Sequence, residues 1–226
     1  MESEWLGRVP YAEALSLQAT LVAERRAEAT PDRLLLLEHP HVITLGSSAR
    51  RDHIRLDEAE LRLLGIDVFE TGRGGDVTYH GPGQLIGYPI LQLPDERRDL
   101  HRYVRDLEEV IIRTLATFNI VAHRNASRTG VWIGNEKIAA IGVRVSSGWI
   151  TSHGFALNVT TDLDFFDAIV PCGIRDAGVT SIARCIGHGI AMHDVASRVA
   201  KQFAIVFGTD SAMHSAKSSR KTCCAP

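Results

Sequence analysis

The residues of this sequence that could do covalent chemistry lie in short, widely separated segments. Cys172 stands in "IVPCGI", between a proline and a glycine that place its thiol on a constrained turn rather than inside a helix. A cysteine thiolate is a strong nucleophile when a nearby cation or a helix N-terminus stabilises it. The downstream "VTSI" offers a helix start at Thr180 or Ser181. The alternative interpretation is that Cys172 is a buried small hydrophobe, as most free cysteines are.

The cation that could stabilise such a thiolate is Lys137, at the start of the strand-like run "KIAAIGVRV". A lysine in this place is either an ordinary exposed side chain or lies in a poorly solvated site, where its amine can stabilise a thiolate and carry protons. His80 and His153 are alternative bases for the same thiol, because histidine exchanges protons near neutral pH. Only the fold can bring these residues together.

The most conspicuous local pattern is the glycine stretch "RGGDVTYHGPGQLIGYPI", residues 73–90. A dinucleotide-binding loop would lead into a helix, and a nucleotide-phosphate loop would continue into Gly-Lys-Ser or Gly-Lys-Thr. Neither follows here, since a Gly-Pro-Gly bend comes next. The stretch is either a tight turn between strands or a cleft lined by backbone, with Arg73, Tyr79 and His80 as polar groups.

Periodicity predicts the elements that must position these residues. Apolar spacing of three and four predicts helices at 11–29, 57–65, 99–118 and 193–207. Short β-type runs predict strands at 33–39, 41–46, 66–71 and 84–93, and hairpins formed by "VWIG", "KIAAIGVRV" and "WITSHGFALNV". This order predicts an α+β fold, a single domain with a central mixed, largely antiparallel sheet flanked by helices.

Three of the predicted helices carry an apolar stripe that we expect to face the core. The stripe of the first helix consists of Leu15, Ala19 and Val22. That of the helix at 99–118 consists of Tyr103, Leu107, Val110, Ile111, Thr114, Leu115 and Phe118. That of the last helix consists of Val195, Val199, Phe203 and Val206.

The composition is that of an ordinary globular protein, with 45% hydrophobic residues, 23% charged residues and a formal net charge of −2. No apolar run approaches the roughly 20 residues that cross a bilayer, and no secretory signal is visible. The four cysteines, at 172, 185, 223 and 224, have no disulfide or metal spacing, so we expect reduced thiols in the cytoplasm. We expect one domain over 1–208 and a disordered tail over 209–226.

Two groups of arginines stand out in this nearly neutral chain. They are Arg50, Arg51 and Arg55, and Arg97, Arg98, Arg102 and Arg105. They form either a solvated face or a docking surface for an acidic partner protein. The "HPH" at 39–41 is too short for a metal site, and we expect no bound metal.

Four separated motifs resemble, in the same order, those of the lipoyl(octanoyl) transferase family. They are the glycine stretch, "KIAAIGVRV", "SHGFALNV" and "IVPCGI" with "VTSI", and the resemblance covers roughly residues 10 to 208. It implies the catalytic-domain fold of biotin and lipoate protein ligases. It also implies an enzyme that moves an octanoyl group from octanoyl-acyl carrier protein to a lysine of a lipoyl domain, on 2-oxoacid dehydrogenase E2 subunits or the glycine cleavage H protein. No nucleic acid or membrane is implied as a partner.

The same resemblance implies residue roles. The cysteine that carries octanoyl as a thioester falls on Cys172, and the lysine that lowers the pKa of this cysteine falls on Lys137. The implied substrate-contacting positions are Arg73, Gly74, Gly75, Asp76, Val77, Thr78, Tyr79, His80, Ala140, Ile141, Gly142, Gly154, Phe155 and Ala156. We expect Gly142 and Gly154 to open room for the acyl chain, and the backbone N–H of Cys172 or Gly173 to donate to the oxyanion.

The implied chemistry needs no cofactor and no ATP. Exchange between a thiol and a thioester is nearly isoenergetic, and amide formation from a thioester runs downhill. Two alternatives remain open on the sequence. One is an ATP-dependent lipoate or biotin ligase of the same fold, which activates the free acid as an adenylate. The other is a protein that binds acyl chains or carrier protein without catalysis.

Overall fold

The computed structural model describes residues 1–170 and 178–208, and the backbone of residues 212–215. The described strands are β1 (Glu2–Arg8), β2 (Arg33–Glu38), β3 (Val42–Leu45), β4 (Asp67–Glu70), β5 (Val77–His80), β6 (Gln84–Ile90), β7 (His123–Arg124), β8 (Val131–Ile133), β9 (Glu136–Ser146), β10 (Ile150–Asn158), β11 (Gly178–Val179) and β12 (Ala212–Ser215). The described helices are α1 (Tyr11–Arg26), α2 (Glu58–Leu63), α3 (Leu100–Ala116), α4 (Ile182–Ile186) and α5 (Met192–Phe207).

The larger sheet of the described chain has nine strands, eight of them in the order β12-β1-β2-β6-β10-β9-β8-β7. In the part of the sheet that starts at β2 and ends at the edge strand β7, every pair of neighbouring strands is antiparallel. Strand β1 pairs in parallel with both β2 and β12. The ninth strand, β11, pairs in parallel with β9 at Glu136 and Lys137, beyond Ala139 where pairing between β9 and β10 ends. The predicted mixed, largely antiparallel sheet is confirmed.

The central strand β2 is a continuous apolar run because both of its faces are buried. Leu34 and Leu36 belong to the core that α3 and α5 cover, whereas Leu35 and Leu37 belong to the core on the side of α1. Successive side chains of a strand point to opposite faces, so a sheet covered on both faces needs apolar residues at every position. Helices therefore flank the sheet, which confirms the predicted α+β class.

The long helix α3 buries the predicted stripe. Asp99 caps its N-terminus by accepting hydrogen bonds from the backbone N–H groups of His101 (2.8 Å) and Arg102 (3.1 Å). The residues of the stripe are buried except Phe118, which lies beyond the helix end and is half-buried. In α5 the stripe is likewise buried at three of its four positions, Val195, Val199 and Phe203.

The stripe predicted for α1 is wrong by one position. Ala19 is exposed, and Leu15 and Val22 are half-buried. The buried residues are Tyr11, Ala14, Gln18 and Leu21. The reason is Gln18, whose Oε1 accepts a hydrogen bond from the backbone N–H of His153 (2.8 Å). An apolar pattern does not reveal a buried face that has a polar residue at its centre.

A second sheet of the described chain, with the order β4-β3-β5, is not predicted by the sequence pattern. Its strand β5 comes from "VTYH" within the glycine stretch and pairs antiparallel with β3, from Val42 opposite His80 to Leu45 opposite Val77. This sheet has its own apolar cluster. The glycine stretch therefore runs from the small sheet, through its Gly-Pro-Gly bend, into β6 of the large sheet.

The C-terminal segment after Gly208 is described only over Ala212–Ser215, whose backbone pairs with β1. These four residues form a strand, unlike the predicted disordered tail. The rest of 209–226 lies outside the described residues, so disorder there stays a prediction. Among the described helices, none combines the length and the apolar character that a bilayer crossing requires.

Candidate active site

A cavity of about 670 Å³ lies where β9 and β10 meet the glycine stretch and the first turns of α3. This volume is within the range of small-molecule sites, roughly 300–1,000 Å³. The predicted site residues that line it are Arg73, Gly74, Gly75, Asp76, Val77, Thr78, His80, Lys137, Ala140, Ile141, Gly142, Gly154, Phe155 and Ala156. Two predicted residues are not in this lining. Tyr79 points elsewhere, and Cys172 lies outside the described residues.

Arg73 attaches the glycine stretch to β3. Its guanidinium group is buried and donates hydrogen bonds to the backbone oxygen of Thr44 (2.6 Å) and to the Thr44 hydroxyl (2.9 and 3.1 Å). The backbone N–H of Gly74 donates to the backbone oxygen of Val143 on β9 (2.9 Å). Gly75 has a φ of 92°, a conformation that glycine adopts without strain. Arg73 thus fixes the loop and keeps a positive charge beside the cavity.

Asp76 is predicted to contact substrate, but groups of the protein engage both of its carboxylate oxygens. Oδ1 accepts a hydrogen bond from the backbone N–H of Val77 (2.7 Å), and Oδ2 lies 2.6 Å from Nδ1 of His53. The backbone oxygen of His53 in turn accepts from the N–H of Val170 (2.7 Å). Asp76 therefore couples the glycine stretch to the last described residue before the segment of Cys172.

Tyr79 and His80 point to opposite faces of β5. Tyr79 is 1% exposed, stacks on Phe165 with ring centroids 5.4 Å apart, and places its hydroxyl 2.8 Å from Nδ1 of His41. It belongs to the core of the small sheet, so the predicted substrate contact of Tyr79 has no support in this geometry. His80 lies on the cavity side. Strand alternation separates the two residues, and the sequence would have indicated this if "VTYH" had been predicted as a strand.

Burial keeps several histidines near the cavity neutral. It lowers the pKa of His80 to about 3 and that of His39 to about 4. Burial, reinforced by the positive charge of Arg73, lowers the pKa of His153 to about 4. A base with so low a pKa takes up a proton poorly at neutral pH. His80 and His153 are therefore weak alternatives to Lys137 as the base.

We expect the stability of the protein to decrease as the pH falls from about 6.5 toward 4. Histidines of the unfolded chain bind protons near pH 6.5, whereas folded His39, His80 and His153 bind them only near pH 3 to 4. The unfolded state therefore gains protons first. Each of these histidines then lowers the free energy of unfolding by up to about 1.4 kcal/mol per pH unit. Urea-unfolding midpoints at pH 7, 6 and 5 measure the trend.

The matched variants for this test are His39→Gln, which removes one buried titrating group, and His188→Gln, which changes an exposed histidine. We expect the first to reduce the pH slope by up to about a third, and by more than the second does. If the wild-type midpoint stayed constant between pH 7 and pH 5, the buried histidines would titrate as they do in the unfolded chain, contrary to this expectation.

Lys137 lies on β9 with its ammonium group over the ring of Trp132, 4.9 Å from the ring centroid. Trp132 is buried, and its indole N–H donates to the backbone oxygen of Arg128 (3.3 Å). The electron-rich face of an aromatic ring attracts a cation, so this contact holds the ammonium group over the ring. The Lys137 side chain is half-buried and lines the cavity.

The predicted nucleophile Cys172 and the predicted oxyanion donor Gly173 belong to residues 171–177, outside the described part of the chain. The chain enters this segment from Val170, whose backbone N–H donates to the backbone oxygen of His53, at the end of a short 3₁₀ turn. It leaves the segment at β11, which pairs with β9 at Lys137. The flank after the segment is thus attached to β9 of the cavity wall, and the flank before it reaches the cavity through His53 and Asp76.

Gly142 and Gly154 lie opposite each other on β9 and β10 and line the cavity. The space beside each Cα is nevertheless occupied by other atoms of the protein. A methyl group on Gly154 would overlap the backbone oxygen of Gly87 and would lie 2.6 Å from Cδ of Pro89 on β6. A methyl group on Gly142 would lie 2.9 Å from the backbone oxygen of Gly74. Both glycines allow neighbouring backbones to approach closely, which corrects the expectation that they open room for an acyl chain.

We expect Gly154→Ala to destabilise the protein by about 3 kcal/mol, because the added methyl group must push β6 and β10 apart. The matched control is Gly189→Ala, at an exposed glycine where a methyl group would meet no atom within 4 Å. We expect this control to stay within about 1 kcal/mol of the wild type. Urea unfolding measures both. Equal midpoints for the two variants would show that the close approach at Gly154 is not a constraint.

The sequence did not indicate the rest of the cavity wall. Tyr11 and Tyr88 line it, as do the first turns of α3 and the loop at 127–129. Two of the α3 residues, His101 and Arg105, lie outside the apolar stripe and four residues apart, so this spacing was available as a signal. The loop at 127–129 has no periodic pattern, and only the tertiary structure reveals its position.

The arginine groups are in part engaged locally. Arg50 pairs with Asp52 (2.6 Å), and Arg105 pairs with Glu108 (2.7 Å). Glu108 is fully buried and also accepts a hydrogen bond from the backbone N–H of Gly130 (3.0 Å), so it fixes Arg105 at the cavity rim. The docking of an acidic partner at these arginines stays a prediction.

Comparison with known proteins identifies the fold and the family. An octanoyltransferase from Rubrobacter xylanophilus is 54% identical over 203 residues, which cover 89% of this chain and 91% of that protein. An octanoyltransferase from Solibacter usitatus is 52% identical, over 89% of this chain and 90% of that protein.

Among solved structures, a bipartite lipoate protein ligase and its E2 lipoyl domain from Thermoplasma acidophilum aligns with a TM-score of 0.71. The alignment covers 96% of this chain and 88% of that chain at 16% sequence identity, a likeness that speaks to the fold alone. Residues 10–204 match the family described as Lipoyl protein ligase A/B catalytic domain. Because this match includes the strands from β2 to β11 and every residue that lines the cavity, the chain belongs to the lipoyl protein ligase A/B catalytic-domain family.

Proposed function

We propose that this protein is an octanoyltransferase, an acyltransferase enzyme that moves an octanoyl group onto a lysine of a lipoyl domain. The relatives named octanoyltransferase support the activity, since they share about half of their residues with this chain over nine-tenths of its length. The observation that carries the proposal for the site is that Lys137, the glycine stretch and the β9–β10 residues line one cavity.

The proposal extends to the partners. The donor is octanoyl-acyl carrier protein, and the acceptors are the lipoyl domains of 2-oxoacid dehydrogenase E2 subunits and the glycine cleavage H protein. The similar structure from Thermoplasma acidophilum pairs a lipoate protein ligase with its E2 lipoyl domain, which supports a lipoyl domain as acceptor. The reaction takes place in the cytoplasm, where a nucleophilic thiol stays reduced.

In the first half-reaction, the Cys172 thiolate attacks the thioester carbonyl of the octanoyl donor. A new carbon–sulfur bond forms, and the bond to the carrier thiol breaks. The departing carrier thiolate takes a proton from the Lys137 ammonium group, which leaves a neutral lysine beside an octanoyl-cysteine. The backbone N–H of Cys172 or Gly173 stabilises the oxyanion of the tetrahedral intermediate.

In the second half-reaction, the neutral amine of the acceptor lysine attacks the octanoyl-cysteine. Lys137 accepts the proton that this nitrogen loses, an amide forms, and Cys172 departs as a thiolate. The thiolate and the Lys137 ammonium are then both restored, so one lysine serves both steps. The contact of Lys137 with the Trp132 ring supports this role because it holds the amine in the wall of the cavity.

Recognition of the octanoyl chain is assigned to the apolar part of the cavity. Ile86, Ile141, Phe155 and Phe166 line it. Burying about six methylene groups at roughly 0.8 kcal/mol each contributes on the order of 5 kcal/mol to binding. The glycine stretch, with Arg73 held against Thr44, forms the polar wall.

The test of the proposed function is intact-protein mass spectrometry after mixing the enzyme with octanoyl-acyl carrier protein. We expect a mass increase of one octanoyl group, which hydroxylamine removes and which transfers to a lipoyl domain on its addition. A parallel assay supplies free octanoate with ATP and measures pyrophosphate release. Pyrophosphate release at a useful rate, without octanoylation from the carrier protein, would favour an ATP-dependent ligase. Binding of the donor with no transfer would favour a non-catalytic acyl binder.

A further inference from the structure

A row of buried polar groups runs from His80 to the backbone of Lys137. Nδ1 of His80 lies 2.8 Å from Oε1 of Gln84, and Nε2 of Gln84 donates to Oδ1 of Asn158 (2.9 Å). Nδ2 of Asn158 donates to the backbone oxygen of Thr180 (3.0 Å), and the Thr180 N–H donates to the backbone oxygen of Lys137 (3.0 Å). His80, Gln84 and Asn158 are each less than one-tenth exposed. We call this set the buried row.

The chemistry of its members fixes which atoms donate along the buried row. A backbone oxygen only accepts, so Asn158 must turn its NH₂ group toward Thr180 and its oxygen toward Gln84. Gln84 must then turn its NH₂ group toward Asn158. The backbone oxygen of Tyr79, 3.3 Å from the same nitrogen, requires the same orientation. The oxygen of Gln84 is left to accept from His80, so the ring proton of His80 is on Nδ1.

The hydrogen bond between Thr44 and His80 can have the same donor-to-acceptor direction. Nε2 of His80 is an acceptor that faces the Thr44 hydroxyl at 3.5 Å. Because that hydroxyl already accepts from Arg73, its own hydrogen can point at His80. Every hydrogen bond then donates in one direction, from Thr44 toward Lys137. Because all donors point the same way, rotating the amide of Gln84 or Asn158 alone would place two donors or two acceptors against each other.

We propose that Gln84 and Asn158 are positioning residues for acyl transfer, because they hold β11 against β9 at Lys137. The inference rests on the proposed function, which gives Lys137 and Cys172 their roles. β11 directly follows residues 171–177 in the chain and pairs with β9 through only two described residues. The hydrogen bond from Asn158 to Thr180 adds an attachment at the end of this short strand.

The location of Gln84 and Asn158 and the chemistry of their amides distinguish a positioning role from one of filling space in the core. Gln84 and Asn158 lie directly opposite each other on β6 and β10, where the residues next to them along the strands, such as Leu85 and Leu157, are buried and apolar. A buried amide costs free energy unless its hydrogen bonds are satisfied, so two apolar residues would meet the demands of stability more simply. An amide also does not exchange protons near neutral pH. The role of these two residues is therefore to hold β11 and His80 in place.

The experiment compares Asn158→Asp with Asn119→Asp, the same change in a turn away from the cavity. An aspartate at 158 keeps the acceptor for Gln84 but sets an oxygen against the backbone oxygen of Thr180. We expect kcat for octanoyl transfer to fall about 10²-fold, with little change in KM for the octanoyl donor. We expect the control to keep the wild-type kcat. Urea unfolding at the assay pH verifies that both variants are folded.

A second readout does not depend on turnover. In ¹⁵N-histidine NMR spectra of the wild type, His80 is expected to show a protonated Nδ1 and a lone-pair Nε2. If Asn158→Asp does not fold, Gln84→Glu replaces it, since it keeps the acceptor for His80 and loses the donor to Asn158. The same fall in kcat is expected.

The outcomes separate this inference from the proposed function. Failure of the wild type to form octanoyl-cysteine would overturn the proposed function and leave the NMR result standing. An active wild type with His80 protonated on Nε2 would overturn the direction of the buried row. A folded Asn158→Asp or Gln84→Glu variant with wild-type kcat would overturn the positioning role.

Discussion

Replacing Cys172 with serine is expected to reduce octanoyl transfer by about 10³-fold or more, because a serine hydroxyl is a far weaker nucleophile than a thiolate. The octanoyl mass increase should disappear with it. The measurement is the initial rate of transfer from octanoyl-acyl carrier protein to a lipoyl domain, with intact-protein mass spectrometry of the enzyme.

The matched control is Cys185→Ser. This thiol is exposed and lies 3.8 Å from the Thr180 hydroxyl, a contact that a serine can keep. We expect Cys185→Ser to retain the wild-type rate and the acyl-enzyme. If Cys172→Ser transferred octanoyl at the wild-type rate, the acceptor lysine would attack the donor directly. If only Cys185→Ser lost the acyl-enzyme, the covalent step would belong to Cys185.

Replacing Lys137 with methionine is expected to lower kcat for octanoyl transfer by about 10²- to 10⁴-fold, because the variant has no group to exchange protons in either half-reaction. Methionine keeps much of the side-chain length and loses the charge. We also expect alkylation of Cys172 by iodoacetamide to shift to higher pH, since the thiolate loses its stabilising cation. The kinetics of transfer and the pH profile of alkylation measure the two effects.

Lys137→Arg separates charge from proton transfer. A guanidinium group stays charged at any accessible pH, so it can stabilise a thiolate but cannot pass a proton on. We expect the alkylation profile of this variant to stay near that of the wild type, while transfer stays slow. If Lys137→Met kept both the profile and the rate, the lysine would only bind substrate. If Lys137→Arg were fully active, the proton would travel by another group.

The sequence by itself determined the long helices, the central strands of the large sheet, the family resemblance and the residue types of the site. The stripe of α3 and the cap of α4 by Ser181 are local, because periodicity and capping depend on residues within a few positions. The types of Cys172, Lys137 and His80 likewise define the chemistry that is available. Cys172 itself stays a prediction, since it lies outside the described residues.

Only the tertiary structure decided how these residues are used. Gln18 is buried because the backbone of His153 needs an acceptor, and Gly154 is a glycine because β6 approaches it. Burial lowers the pKa of His80 to about 3 and so keeps it neutral, and its ring proton is on Nδ1 because the oxygen of Gln84, oriented by Asn158, accepts from it. The partners of Gln18 and Gly154 are distant in sequence, and Gln84 is itself oriented by the distant Asn158. The free energy of burying a polar group or a close backbone contact depends on that partner, which no local pattern specifies.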